Sequence, residues 1–341
     1  MKLLFDINHP AHVHLLRNFI SYLKEKEHSV HVVSRDKDVT NLLLKNYGIE
    51  YTCLSTAKTS FFGMCIELAC RDYRILRMHH QVRFDLAFGT SVSIAHLTAL
   101  TSVPSYNLEE DDDSSIPLIT LLTCPFTTKV INPTCIRYNL WRKKRVFVPS
   151  YHELAYLHPN NFSPDRTVID KYGLKEKDYI LARFSALKAH HDIGQKGISN
   201  DLWKKIQKMC FGYEIVISAE NNVSHQIDPW DLHHVLAFSK LLISDSQTMT
   251  IEGSVLGIPS VKINSFKDMS SVIQELESKY KLSLGYLPQE EKEILNTINK
   301  LLINDDTESI WAKRREKMLK DKVDYNQWLI EFFEKGLMGH A

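Results

Sequence analysis

Short apolar runs alternate with amphipathic stretches along most of this chain, and the alternation comes in two series. In the first, strand-like runs lie at Leu3–Phe5, Val30–Val33, Tyr51–Leu54, Leu86–Phe88, Pro104–Tyr106 and Lys129–Ile131. After the first run, Val13, Leu16, Ile20 and Leu23 recur at helical spacing. The second series has strands at Tyr179–Phe184, Tyr213–Ser218, Leu241–Ile243 and Ser260–Ile263, with helices expected over 201–209, 230–238 and 249–256. Parallel strands need a crossover element between them, so the alternation dictates an α/β fold with parallel sheets covered on both faces. The stretch 137–166 breaks the rhythm with Arg142-Lys143-Lys144-Arg145, Pro149, Pro159 and Pro164, which marks a boundary. Two Rossmann-like parallel-sheet domains are therefore expected, over 1–150 and 151–341. A helical tail is expected over 289–303, 307–321 and 324–334, with Trp328, Phe332 and Phe333 as core contacts.

Composition narrows what such a fold does. Lys plus Arg number 42 against 41 Asp plus Glu, a net charge of +1, so no basic excess points to nucleic acid. Glycine is scarce at 12 residues, and neither G-x-G-x-x-G nor G-x-x-x-x-G-K-[ST] occurs. A bound phosphate must then rest on another device. The six cysteines form no C-x-x-C and read as reduced thiols. Asp6 follows three apolar residues, leaving no signal-peptide core, and no apolar run is long enough to span a membrane. A cytoplasmic protein is expected.

In α/β sheets ligands sit beyond the carboxyl ends of the strands, here in a cleft expected between the two domains. The strongest local pattern of this kind is Ser244-Asp245-Ser246-Gln247-Thr248-Met249-Thr250-Ile251-Glu252, followed by Leu256-Gly257-Ile258-Pro259. A strand ends, small hydroxyl residues follow and a helix begins. The first N–H groups of that helix can hold a diphosphate without glycines, and Ser246 and Thr248 add hydroxyls. Glu252 lies one turn after Thr248, where a carboxylate can accept both hydroxyls of a ribose. An ordinary N-cap accounts for Ser246 equally well. His190-His191-Asp192 sits in the loop after Tyr179–Phe184, as an acid–base pair, a phosphate contact or loop structure; metal binding is disfavoured because adjacent histidines diverge and no further ligand stands nearby in the sequence. Glu109-Glu110-Asp111-Asp112-Asp113 follows the strand at Pro104–Tyr106. Adjacent carboxylates raise one another's pKa, which suits acid–base work, although a solvated acidic loop is the plainer reading. Glu109 lies nearest the strand end.

The Ser244–Pro259 segment is similar to the donor-nucleotide site of GT-B fold enzymes, which include glycosyltransferases and UDP-N-acetylglucosamine 2-epimerases. The whole chain resembles more closely, within that superfamily, the family of domains of unknown function numbered three hundred and fifty-four. The matching pieces are Phe5-Asp6, Tyr151 to Pro159, Arg183-Phe184, His190-His191-Asp192, Ser244 to Gly257 and Asn264-Ser265-Phe266. The resemblance implies a GT-B fold whose last helix crosses back to the first domain. It implies that Arg183, after the first strand of the second domain, faces the diphosphate, and that Gln247 belongs to the donor site. It also implies that His12, in His9-Pro10-Ala11-His12-Val13-His14, matches a histidine near the acceptor.

The resulting expectation is a metal-independent, cofactor-free glycosyltransferase of surface-polysaccharide or glycolipid assembly. Its donor is a nucleotide-diphosphate sugar, UDP-linked by preference, and its acceptor a glycan or lipid-linked sugar. Arg183 and the helix after Ser246 would stabilise the departing diphosphate, and His12 or Glu109 would deprotonate the acceptor. The alternatives are a sugar-nucleotide 2-epimerase using Glu109, Asp112 and His191, and a non-catalytic GT-B scaffold. Two basic clusters, Arg71-Arg74-Arg77 and Arg142 to Arg145, are solvated faces, peripheral contacts with the inner face of an anionic membrane, or contacts with a lipid-diphosphate acceptor.

Overall fold

The computed structural model of the chain describes residues 1–138, 140–184, 198–219, 227–265 and 270–337. His190, His191 and Asp192 lie outside the described residues. The chain divides into two compact units: Met1–Tyr156 together with the segment from Val323, and Leu157–Lys322.

The first unit carries seven strands: β1 (Lys2–Ile7), β2 (Ser29–Asp36), β3 (Thr52–Thr56), β4 (Leu86–Gly89), β5 (Ser105–Leu108), β6 (Lys129–Pro133) and β7 (Arg145–Val148). They pair in parallel in the order β3-β2-β1-β4-β5-β6-β7. Its helices are α1 (Pro10–Glu25), α2 (Thr40–Asn46), α3 (Phe61–Val82), α4 (Val92–Thr101), α5 (Pro117–Thr123) and the short α6 (Leu154–Leu157). Right-handed crossovers put α1 and α2 on one face and α3, α4 and α5 side by side on the other. The contacts agree: α1 packs on α2, α3 on α4, and α4 on α5. β1 is buried because Leu3, Leu4, Phe5 and Ile7 leave no surface exposed. The strand order reverses between β1 and β4, and a ligand crevice opens at such a reversal. There the two strands approach closely: a Cβ on Gly89 would sit 2.5 Å from the Asp6 carbonyl oxygen.

The second unit begins with α7 (Arg166–Lys171) and carries β8 (Tyr179–Phe184), α8 (Asn200–Met209), β9 (Glu214–Ala219), α9 (Leu232–Phe238), β10 (Leu241–Ser244), α10 (Gln247–Leu256), β11 (Ser260–Ile263), α11 (Ser271–Glu275) and β12 (Ser283–Tyr286). The strands pair in parallel in the order β12-β11-β10-β8-β9. The reversal here falls between β8 and β10, so Arg183 and Ser244 face each other in register at the switch point. Helices α12 (Glu291–Ile303) and α13 (Thr307–Asp321) follow. The last helix, α14 (Tyr325–Glu331), packs against α1, and Phe333 beyond it lies against Phe19 and Phe88 in the first unit's core.

Two strands differ from the sequence expectation. β7 lies inside the stretch read as an irregular boundary, and β12 was not foreseen. Each is short, and each carries a residue that weakens a strand pattern: Arg145 opens β7 and Gly285 sits inside β12.

Candidate functional site

At the carboxyl end of β1, Asp6 is fully buried. Its carboxylate accepts from the Arg71 guanidinium and, at 2.5 Å, from the Ser91 hydroxyl. Arg71 also donates to the Ser34 carbonyl and the Ser55 hydroxyl, each at 3.0 Å. Ser55 in turn donates to Glu67, which holds Arg35 by two bonds of 2.6 and 2.9 Å. One polar network thus ties the ends of β1, β2 and β3 to α3. Its two acids differ. Burial raises Asp6 despite Arg71 and Ser91. Glu67 is also desolvated, but Arg35, Ser55 and the Lys58 N–H outweigh that and lower it. Arg71, read as part of a surface cluster, is therefore a buried structural cation. Arg145 likewise turns inward, onto Asp113 at 2.7 and 2.8 Å.

His12 opens α1 and is half-buried. The Thr90 hydroxyl lies 2.6 and 2.7 Å from its two ring nitrogens, and Nδ1 accepts the Asn8 N–H at 3.4 Å. Burial, reinforced by His9, His152 and Lys37, lowers its pKa well below 6.5, which favours the neutral imidazole.

The acidic run after β5 splits. Asp112 and Asp113 point into the unit, where Asp112 accepts the Arg137 N–H at 2.6 Å and Asp113 holds Arg145. Glu110 accepts the His152 N–H at 2.9 Å, with the His152 ring Nδ1 at 3.6 Å. Glu109 is held by the N–H groups of Glu110 and Asp111, at 3.1 and 3.2 Å. Even so, burial and the Asp111 charge push its pKa up to about 8. Beside it, burial takes His152 down to about 3, and the ring lies 5.3 Å from that of Tyr325. Burial and the charges of Glu110 and Glu109 raise the Tyr325 hydroxyl well above its ordinary value. Among the described residues, Asn8 Oδ1, His152 Nε2 and Tyr325 Oη are buried without a hydrogen-bond partner. Buried polar atoms are normally satisfied by protein groups or by water. A carboxyl poised near neutral pH beside them can give or take a proton.

In the second unit, the switch point is built by hydroxyls. Ser244 Oγ donates to the Arg183 carbonyl at 2.8 Å and accepts the Ser246 N–H at 3.0 Å. Ser246 caps α10, its Oγ accepting the Met249 N–H at 3.4 Å. Gln247 and Thr248 form the first turn and are half-exposed, so the end of the helix is open to an anion. Asn264 pins the loop by donating to the Asp245 carbonyl at 2.8 Å. Arg183 is half-exposed and donates to Ser218 Oγ at 3.0 Å. Glu252 is buried, with Oε1 2.9 Å from Nε2 of the buried His233.

A family profile spans residues 1–327 of the chain. This chain belongs to the family described as Protein of unknown function (DUF354). No curated protein matches the sequence. Solved structures resemble this DUF354 member over nearly their whole length. The S. aureus MnaA–UDP complex matches with a TM-score of 0.70 and 13% identity, over 100% of this chain and 98% of that one. UDP-GlcNAc 2-epimerase from Neisseria meningitidis, bound to UDP-GlcNAc, gives 0.67 and 10%, over 98% and 100%. The glycotransferase of kitacinnamycin gives 0.60 and 9%, over 97% and 98%. With two parallel α/β sheets, the fold is GT-B. Sequence reasoning singled out neither His152, Tyr325 nor Thr90. The signal for His152 lay in Tyr151 to Pro159, one of the segments that carry the family resemblance.

Proposed function

We propose that this DUF354 protein acts on a nucleoside-diphosphate sugar, breaking the bond between the anomeric carbon and the diphosphate and transferring the sugar to an acceptor hydroxyl. The observation that carries the reading is Glu109, a carboxyl held near pH 8 beside buried polar groups at the carboxyl end of the first sheet. A base of that pKa removes a hydroxyl proton effectively around neutral pH. Glu109 fits the role better than His12, whose depressed pKa makes it a weak base. His12, with Thr90, is assigned to positioning the acceptor.

In the second unit, Arg183 and the first turn of α10 hold the diphosphate. The leaving group gains negative charge as its bond breaks, and a fixed guanidinium with helix N–H donors stabilises it. Ser246, Gln247 and Thr248 line that turn. UDP is the expected nucleotide because the S. aureus and N. meningitidis structures hold UDP and UDP-GlcNAc. The chemistry asks for neither a metal nor an organic cofactor.

A second reading is 2-epimerisation of the nucleotide sugar. It draws support from the several epimerases among the solved structures and from the several acid–base groups in one place: Glu109, Glu110, His152 and Tyr325.

The test is incubation with a panel of UDP-sugars, with and without sugar acceptors, followed by chromatography of nucleotide and sugar products. Transfer predicts UDP release that depends on an acceptor. Epimerisation predicts an epimeric UDP-sugar, or free epimerised sugar, without one. Glu109→Gln is expected to slow turnover about 10²–10⁴-fold while UDP binding persists. Absence of binding to every donor would overturn both readings.

A further inference from the structure

The outer layer of the first unit is formed by α3, α4 and α5, and two of these helices, α3 and α5, turn apolar side chains outward. In α5 the two threonines, Thr120 and Thr123, are buried, whereas Leu118 and Leu121 are 56% and 55% exposed. In α3, Phe62, Ile66 and Tyr73 fall on one stripe at helical spacing and are 79%, 65% and 66% exposed. Arg77 continues that stripe and is exposed. An amphipathic helix on a sheet turns its apolar side to the sheet, so an inverted helix beside an aromatic stripe is expected to meet another apolar medium.

Charge decides which medium. Across α3, α4 and α5 the only carboxylates are Glu67 and Asp72. Glu67 is buried on Arg35, and Asp72 holds His96 at 2.7 Å. From Ser114 to His152 the sequence has no Asp or Glu, while Arg142 and Lys143 are exposed beside an exposed Leu140. The face is thus apolar with cations and no outward carboxylate. A second copy of the chain across a two-fold axis would bring the same cations together with nothing to neutralise them. An anionic bilayer supplies both partners at once, acyl chains for the leucines and phenylalanines and lipid phosphates for Arg77, Arg142 and Lys143. No helix among the described residues is long and apolar enough to cross a membrane, so contact would be from one side.

We propose that the α3–α4–α5 face docks on an anionic membrane surface. The site involves neither Arg71 nor Arg145, which are buried, and it stands independently of the proposed sugar chemistry.

The experiment is co-sedimentation of the full chain with vesicles of phosphatidylcholine alone and of phosphatidylcholine mixed with phosphatidylglycerol. Binding to the mixed vesicles, weakened by salt, is expected. Arg77→Gln should weaken it about fivefold. Leu118→Glu combined with Leu121→Glu should abolish it while leaving the thermal midpoint unchanged, since both positions are exposed. Failure to bind mixed vesicles would overturn the proposal. So would a concentration-dependent dimer that the same double substitution dissociates, because the face would then serve a second copy.

Discussion

At the scale of single residues, carboxyls of the first unit meet opposite fates. Glu67 gains two guanidinium bonds, a hydroxyl and a backbone N–H, and stays charged. Glu109 gains only two backbone donors and faces the Asp111 charge, so burial wins and it keeps its proton to about pH 8. Two consequences follow for pH. From about pH 4.5 to about pH 8 the folded chain retains a proton on Glu109 that the unfolded chain has released. Stability from this group therefore falls as pH rises through that window. Thermal midpoints measured across it for the native chain and for Glu109→Gln should diverge, the variant losing less. If Glu109 is the base, kcat/KM of the native chain should rise through an ionisation near pH 8 that the variant lacks. A flat profile there would remove Glu109 from the proton transfer.

At the scale of elements, close approach of backbone decides where the site can form. α10 must lie tightly on its sheet for its first turn to sit beside Arg183. Gly253 provides for this: a Cβ there would come 2.4 Å from Ser260 Oγ and 2.8 Å from Leu242 Cδ2. Ser260 Oγ is already committed to the Ile258 carbonyl at 2.9 Å, which limits its retreat. Gly253→Ala should therefore cost about 1–3 kcal/mol by overpacking, outweighing the gain in helix propensity. Denaturant titration would show it as a lower midpoint at unchanged slope. The same scale shows what the sequence could and could not reveal. Strand–helix alternation exposed most strands, because central parallel strands such as β1 and β10 are unbroken apolar runs. β7 escaped notice because its buried Arg145 reads as surface charge until Asp113, thirty-two residues upstream, is seen against it. Arg71 escaped for the same reason, its partner Asp6 being 65 residues away. Hydropathy reports the side chain's own polarity and is blind to a distant partner.

At the scale of the whole molecule, chain order and core membership part company at Val323. The segment beyond it belongs to the unit that begins at Met1. Tyr325, Leu329 and Phe333 are buried there, and Phe333 meets Phe19 and Phe88 with ring centroids 6.0 and 6.4 Å away. The aromatic spacing of Trp328, Phe332 and Phe333 marks an apolar helix face, but spacing alone cannot say which sheet receives it. Each fully buried side chain of this kind is worth about 1.5–3 kcal/mol, an upper estimate because an unfolded chain is itself partly compact. Removing the three together takes away an amount comparable with the net stability of a typical domain. A chain ending at Lys322 should therefore lose the first unit selectively. Hydrogen exchange read by mass spectrometry should show amides of β1 and β4 losing protection, while β8 and β10, whose partners all lie within Leu157–Lys322, keep theirs. Loss of protection in both units would mean that they unfold as one, and retention in both would mean that the final helix is dispensable. The selective outcome would also take Tyr325 from beside Glu109, so the truncated chain should bind UDP through the second unit yet turn over no UDP-sugar.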